Sequence, residues 1–209
     1  MRKKAAVLTA MVLALVLTAC GAGFDATKYV DGVLKNIYLG DSTTYREMVE
    51  ITEAEAEEEY LAGIEVEADF FLSYYGLEVS DEIYQQIVDM YKEIYSHSKF
   101  EVKEAVKNED SYNVEVLISP IDVIVNSEDA IMEAITEFTE TANSDDYADE
   151  QAIYDAMAQI VIDIINGNMA NLGYQDQKSV IVKVEKDAQG YWGVSDDAIS
   201  ALDQDMIAY

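Results

Sequence analysis

Thiol and imidazole chemistry have almost no material to work with in this sequence. Its 209 residues include one cysteine, one histidine, one proline and one tryptophan. A lone cysteine, Cys20, excludes a disulfide within the chain and a thiolate metal cluster. A lone histidine, His97, would have to carry any zinc site or Ser-His-Asp arrangement by itself. It sits between Ser96 and Ser98 with no partner pattern, which reads as a solvent-facing junction residue. One proline, Pro120, and no Ser/Gly-rich stretch leave no evident linker. Positive charge is scarce too. Thirteen Lys and Arg face 42 Asp and Glu, a formal net charge of −29. No basic residue lies between Arg46 and Lys92, or between Lys107 and Lys178. Such a field repels nucleic acid, suits cationic partners and keeps an exported domain soluble. Phosphate-binding glycine loops and the GxSxG nucleophile elbow are absent, so no cofactor is expected.

What the sequence does contain begins at its first residues. Arg2, Lys3 and Lys4 precede the apolar run Ala5–Val16, which falls short of the roughly 20 residues of a membrane span. Leu17-Thr18-Ala19-Cys20 follows and resembles the lipobox of bacterial lipoproteins. The resemblance implies cleavage between Ala19 and Cys20, removal of residues 1–19 as a signal peptide, and a diacylglyceryl group with palmitate-like chains on the Cys20 thiol. Two acyl chains suffice for stable anchoring. Residues 20–23 then form a short tether reaching on the order of 10–15 Å. The expected address is the outer face of a cell membrane, with the bilayer as a partner through the anchor and a Gram-positive source favoured. Loss of Arg2, Lys3 and Lys4, with no acid, would take the net charge to −32.

Residues 24–209 read as one acidic α+β domain. Helical spacing from Asp25 to Leu39 ends at Gly40, and a short helix over Thr43–Val49 follows. Thr52-Glu53-Ala54-Glu55 is a capping box opening a helix with an acidic back that closes at Gly76. Ser80 caps the next. The period then changes to two. Phe100, Val102 and Val106 share a face, and Tyr112–Ile118 forms the return strand. Ser127 is expected to open a helix, and Asp145 or Asp146 to open a long, central one running through Leu172 and closed by Gly173. A second hairpin spans Val180–Val194, and Ser195 caps a final helix. These elements predict a four-stranded antiparallel sheet of two hairpins packed with about six helices.

The lipobox, the Tyr-rich helices, the segment Tyr95–Asp122 and the ending Val180–Asp197 resemble uncharacterised lipoproteins of Gram-positive anaerobes. That group is similar to nuclear transport factor 2-like or cystatin-like α+β folds, and it implies no activity or catalytic residues. The acidic run Asp145–Glu150 lacks the alternating ligands and central glycine of a calcium loop, so no metal is expected there. The fifteen tyrosines lie mostly on helical stripes, which fits core packing better than a carbohydrate platform. Glu104 falls in phase with Phe100, Val102 and Val106. Either a bulge swings it out, or it points into the sheet's concavity and floors a small-ligand site with Tyr112 and Tyr91. The expected function is a membrane-anchored, non-enzymatic binding module for a protein or small-molecule partner. The alternatives are a ligand carrier using a concave sheet pocket, and a hydrolase.

Overall fold

The structure, a computed structural model, describes residues 23–209. The predicted signal peptide and Cys20 lie outside the described residues.

Local chemistry sets the helix ends. Helix α1 (Ala26–Leu39) starts where the Asp25 carboxylate accepts from the Lys28 N–H, and stops at Gly40 with φ 65°. Helix α2 is Thr43–Val49. The capping box opens α3 (Glu53–Tyr75): Thr52 accepts from the Glu55 N–H, and Glu55 accepts from the Thr52 N–H at 2.8 Å. Helix α4 (Asp81–Ser96) is capped by Ser80, and α7 (Asp196–Met206) by Ser195.

Two expected helix starts differ. Ser127 does not cap α5 (Glu128–Thr141). Its buried hydroxyl donates to the Val123 carbonyl at 2.7 Å and accepts from the Asn168 amide, so a 3-10 turn over Val125–Ser127 leads into the helix instead. Asp145 and Asp146 lie in a separate 3-10 turn, and α6 (Glu150–Asn168) is capped by Asp149, which accepts from the Ala152 N–H at 3.0 Å. Among three nearby carboxylates, the one placed three residues before a free N–H makes the cap.

The fold is α+β: the described residues form seven α-helices and one antiparallel sheet. Strands β1 (Lys99–Val102) and β2 (Val106–Asn108) both pair with β3 (Ser111–Ser119). Strand β3 pairs with β4 (Lys178–Lys186), and β4 with β5 (Trp192–Val194). Val114, Val116, Ile118, Val182 and Val184 are fully buried on one face. Helices α1 and α7 pack against the strands, α3 and α4 pack on α1 and on each other, and α6 packs on α4 and α5.

Between β1 and β2 the edge is bulged. Val102 pairs with Val116 but Val106 with Asn113, so three intervening residues face two on β3. The Ala105 N–H, freed from the ladder, donates to the Thr27 hydroxyl at 2.8 Å. An extra residue inverts the facing of everything after it. Val106, expected on the inner face with Val102, is therefore exposed.

Gly32 marks the tightest helix contact. A Cβ there would lie 3.0 Å from the Tyr45 backbone nitrogen and 3.2 Å from its Cα. Gly to Ala inside a helix ordinarily gains up to about 1 kcal/mol. Here it must push α2 off α1, so Gly32→Ala is expected to destabilise by about 1–2 kcal/mol. Gly63 of α3 has nothing within 4 Å of such a Cβ, and Gly63→Ala is expected to stabilise. Urea midpoints that move in opposite directions for the two variants check this.

Candidate functional site

The three residues singled out for a ligand site are placed in three different settings. Glu104 lies in the bulge and is exposed, so the carboxylate that could have pointed into the concavity stands in solvent. Tyr91 is fully buried on α4, sharing a 2.6 Å hydrogen bond with the Tyr209 hydroxyl. Tyr112 sits at the far end of β3, 5.8 Å from the Phe24 ring and 5.2 Å from the Trp192 ring. His97, at the end of α4, is exposed, with Nε2 3.5 Å from the Glu93 carboxylate. Its backbone carbonyl accepts from the Tyr174 hydroxyl at 2.8 Å.

Helix α3 gathers the most unusual side chains. One face carries Ile64, Ala68 and Phe71 into the core, all fully buried. On the flank of that face, Glu67 is turned toward the hydroxyls of Tyr95 and Tyr209. Asp203 of α7 stands close enough to act on it and accepts from the Tyr38 hydroxyl at 2.7 Å. Loss of hydration, then the Asp203 charge, push Glu67 up to about 7, against the opposing pull of the two tyrosines. Desolvation raises Asp203 as well, while the Tyr38 bond holds it down. Among the described residues, neither acid takes part in an ion pair. A carboxylate ringed by tyrosines, beside a second acid and lacking a cation, holds its proton to nearly neutral pH.

Both acids had a sequence signal. Glu67 is three residues after Ile64 and four before Phe71, and Asp203 is four after Ile199 and three before Met206. Those spacings put each acid beside a core-facing stripe. Reading Glu67 as part of the acidic back missed it.

The solvent side of α3 carries a second stripe. Val66, Phe70 and Tyr74, spaced four apart, are 47, 46 and 49 % exposed. Tyr209 extends it, edge-on to Phe70 at 5.0 Å and tilted to Tyr74 at 5.7 Å. Tyr209 is held in place because Ala208 N–H donates to the Ile121 carbonyl and Val125 N–H donates to the Ala208 carbonyl. The Tyr74 hydroxyl donates to Glu128 of α5 at 3.1 Å. The result is a fixed aromatic ridge, water-facing, on a helix whose sequence is otherwise acidic.

A second feature is an open cleft of about 780 Å³ where the two hairpin tips meet, lined by Tyr112, Trp192 and three lysines among others. Glu67 and Asp203 do not line it. No group of three or more metal-ligating side chains gathers among the described residues, and no described helix is long and apolar enough to cross a membrane.

No family model and no curated protein matches the sequence. Among solved structures, the chain is similar in fold to a "putative lipoprotein (ycdA)" from Bacillus subtilis, with a TM-score of 0.64 at 18 % identity. The match covers 88 % of this chain and 56 % of that one, so the chain spans about half the length of its structural neighbour.

Proposed function

We propose that this chain is a membrane-anchored lipoprotein whose acidic domain is a non-enzymatic binding module on the outer face of the membrane. The lipobox at Leu17–Cys20 and the fold shared with a protein described as a lipoprotein support the anchor. The α3 ridge carries the binding reading. Three large apolar side chains half-open to water at four-residue spacing are costly unless something covers them, and α3 gives them the regular i, i+4, i+8 anchors of a helical docking face. Tyr74 adds a hydroxyl at its margin, held by Glu128, and surrounding glutamates give it the polar rim of a protein interface.

The non-enzymatic part follows the same residues. Glu67 and Asp203 are both raised by burial, yet tyrosine hydroxyls occupy their approaches and the hairpin-tip cleft does not reach them. A photo-crosslinking amino acid at position 70, on live cells of a producing bacterium, tests the reading. The expected result is one discrete protein adduct, lost when Val66→Asp is added and absent with the crosslinker at exposed Glu137 of α5. Adducts of equal yield at both positions would show that the ridge selects nothing.

A further inference from the structure

We infer that the hairpin-tip end of the sheet, around Trp192, Tyr112 and Lys107, is the face this domain lays on an anionic bilayer. The inference rests on the proposed anchor at Cys20 and adds what that anchor alone leaves open, the orientation of the domain.

The first observation is where the chain enters the fold. Phe24 stacks on Trp192 with ring centroids 4.7 Å apart and planes 9° from parallel. It is also tilted against Tyr29 at 5.4 Å and Tyr112 at 5.8 Å. These rings pin the start of the domain to the end of the sheet that carries the β2–β3 and β4–β5 turns. Only Gly21, Ala22 and Gly23 separate Phe24 from Cys20. Three residues span on the order of 10 Å, so the lipid headgroups lie within about that distance of the hairpin tips.

The second observation is charge. Lys107, Lys183 and Lys186 line the cleft between the tips, against Glu109, Asp110 and Glu185. With Asp187 in the β4–β5 turn, this end carries four acids against three lysines, much closer to neutral than the helices. Helix α3 has eight acids and no base, and α5 has five acids and no base. A chain this acidic is repelled by anionic lipid as a whole, but charges farther than a Debye length of about 8–10 Å are screened. The repulsion is therefore least when the end richest in lysine is down. Lys183 is paired with Glu185, whereas Lys107 is in no ion pair among the described residues and Lys186 lies 5.0 Å over the Trp192 ring.

The third observation is side-chain type. Trp, Tyr and Lys are the residues that settle at a membrane–water boundary, the rings at headgroup depth and the ammonium groups reaching to phosphate. The sole tryptophan of the chain and a tyrosine sit here together, and Val106, on the adjacent strand, is 66 % exposed.

Because Trp192 is the only tryptophan, its emission reports this face alone. The lipidated protein, made from the full chain, is inserted into phosphatidylcholine vesicles with and without phosphatidylglycerol, some lipids carrying bromine near the headgroup. In parallel, residues 20–209, which hold every described element, are coupled through the Cys20 thiol to a maleimide lipid. This second arm reads orientation whether or not cells acylate Cys20. The expected result is that Trp192 loses about half its emission to the brominated lipid, as an interfacial ring should. A Trp192→Phe, Phe138→Trp protein, with its reporter on α5, is expected to lose almost none. Lys107→Gln with Lys186→Gln is expected to weaken quenching in phosphatidylglycerol vesicles only. Equal quenching at both reporter positions, or quenching that free glycerol phosphate competes away, would overturn the proposal. The latter would assign the cleft to a small anion.

Discussion

At pH 8 the Glu67→Gln protein is expected to be more stable than the wild type, and by pH 4.5 the advantage is expected to be gone. The cause is the burial of Glu67 against Asp203, which lifts its carboxyl from 4.5 to about 7. The folded protein thus holds a proton that the unfolded chain has released between those two values. Where the folded state binds more protons, stability falls as pH rises. The favourable linkage is fully present below about 4.5 and is lost as pH climbs through 7. A shift of this size corresponds to about 2–3 kcal/mol, allowing for partial contact with water. Glutamine keeps an acceptor for the Tyr95 and Tyr209 hydroxyls but cannot ionise. Urea titrations of both proteins at pH 5, 6.5 and 8 read the difference. The remaining slope in the variant has named sources: Glu59 and Asp203 are raised by desolvation too. Glu55, lowered by the Thr52 N–H and hydroxyl, acts in the opposite sense, and its contribution is lost only as pH falls below the ordinary carboxylate range. Parallel pH profiles for the two proteins would mean that Glu67 is hydrated in the folded state.

The second large effect is all-or-none. Cys20→Ser is expected to abolish incorporation of an alkyne-tagged fatty acid and to leave residues 1–19 attached. Thioether formation needs a thiolate, and serine offers none. Cys20 is the sole cysteine, so no second thiol can take the lipid. The described domain offers no helix that could span the bilayer in its place. Labelling of Cys20→Ser at the wild-type level would locate the acyl chain on another residue.

Much of the architecture was legible because it rests on periodicity and capping. The Thr52–Glu55 box, Gly40, Gly76, Ser80 and Ser195 all end or begin helices where their chemistry requires. Both hairpins follow the alternation of two. What escaped was set by tertiary contacts. The bulge at residues 103–105 is signalled by Glu104 in phase with Phe100 and Val102, but the turning-out of Val106 that follows is not, and neither is the bond from the Ala105 N–H to Thr27, some 78 residues away. Ser127 looked like a cap, but its hydroxyl is engaged by Val123 and Asn168. The candidate site was less legible still. Val66, Phe70 and Tyr74 share a helix with a stripe that is fully buried, and sequence spacing alone assigns both stripes to apolar faces without saying which one another helix covers. Glu67 is the instructive case: an acid one step from a core stripe reads as part of the acidic back, although its i−3 and i+4 neighbours are Ile64 and Phe71.

This domain is proposed to work outside the membrane, held by a lipid on Cys20. The most direct test is the intact mass of the protein extracted from the membranes of a bacterium producing the full chain. The expected mass is that of a chain beginning at Cys20, lacking residues 1–19, and heavier by one diacylglyceryl group released with the Cys20 peptide on digestion. A chain recovered with residues 1–19 in place, or cut there with an unmodified Cys20 thiol, would contradict it.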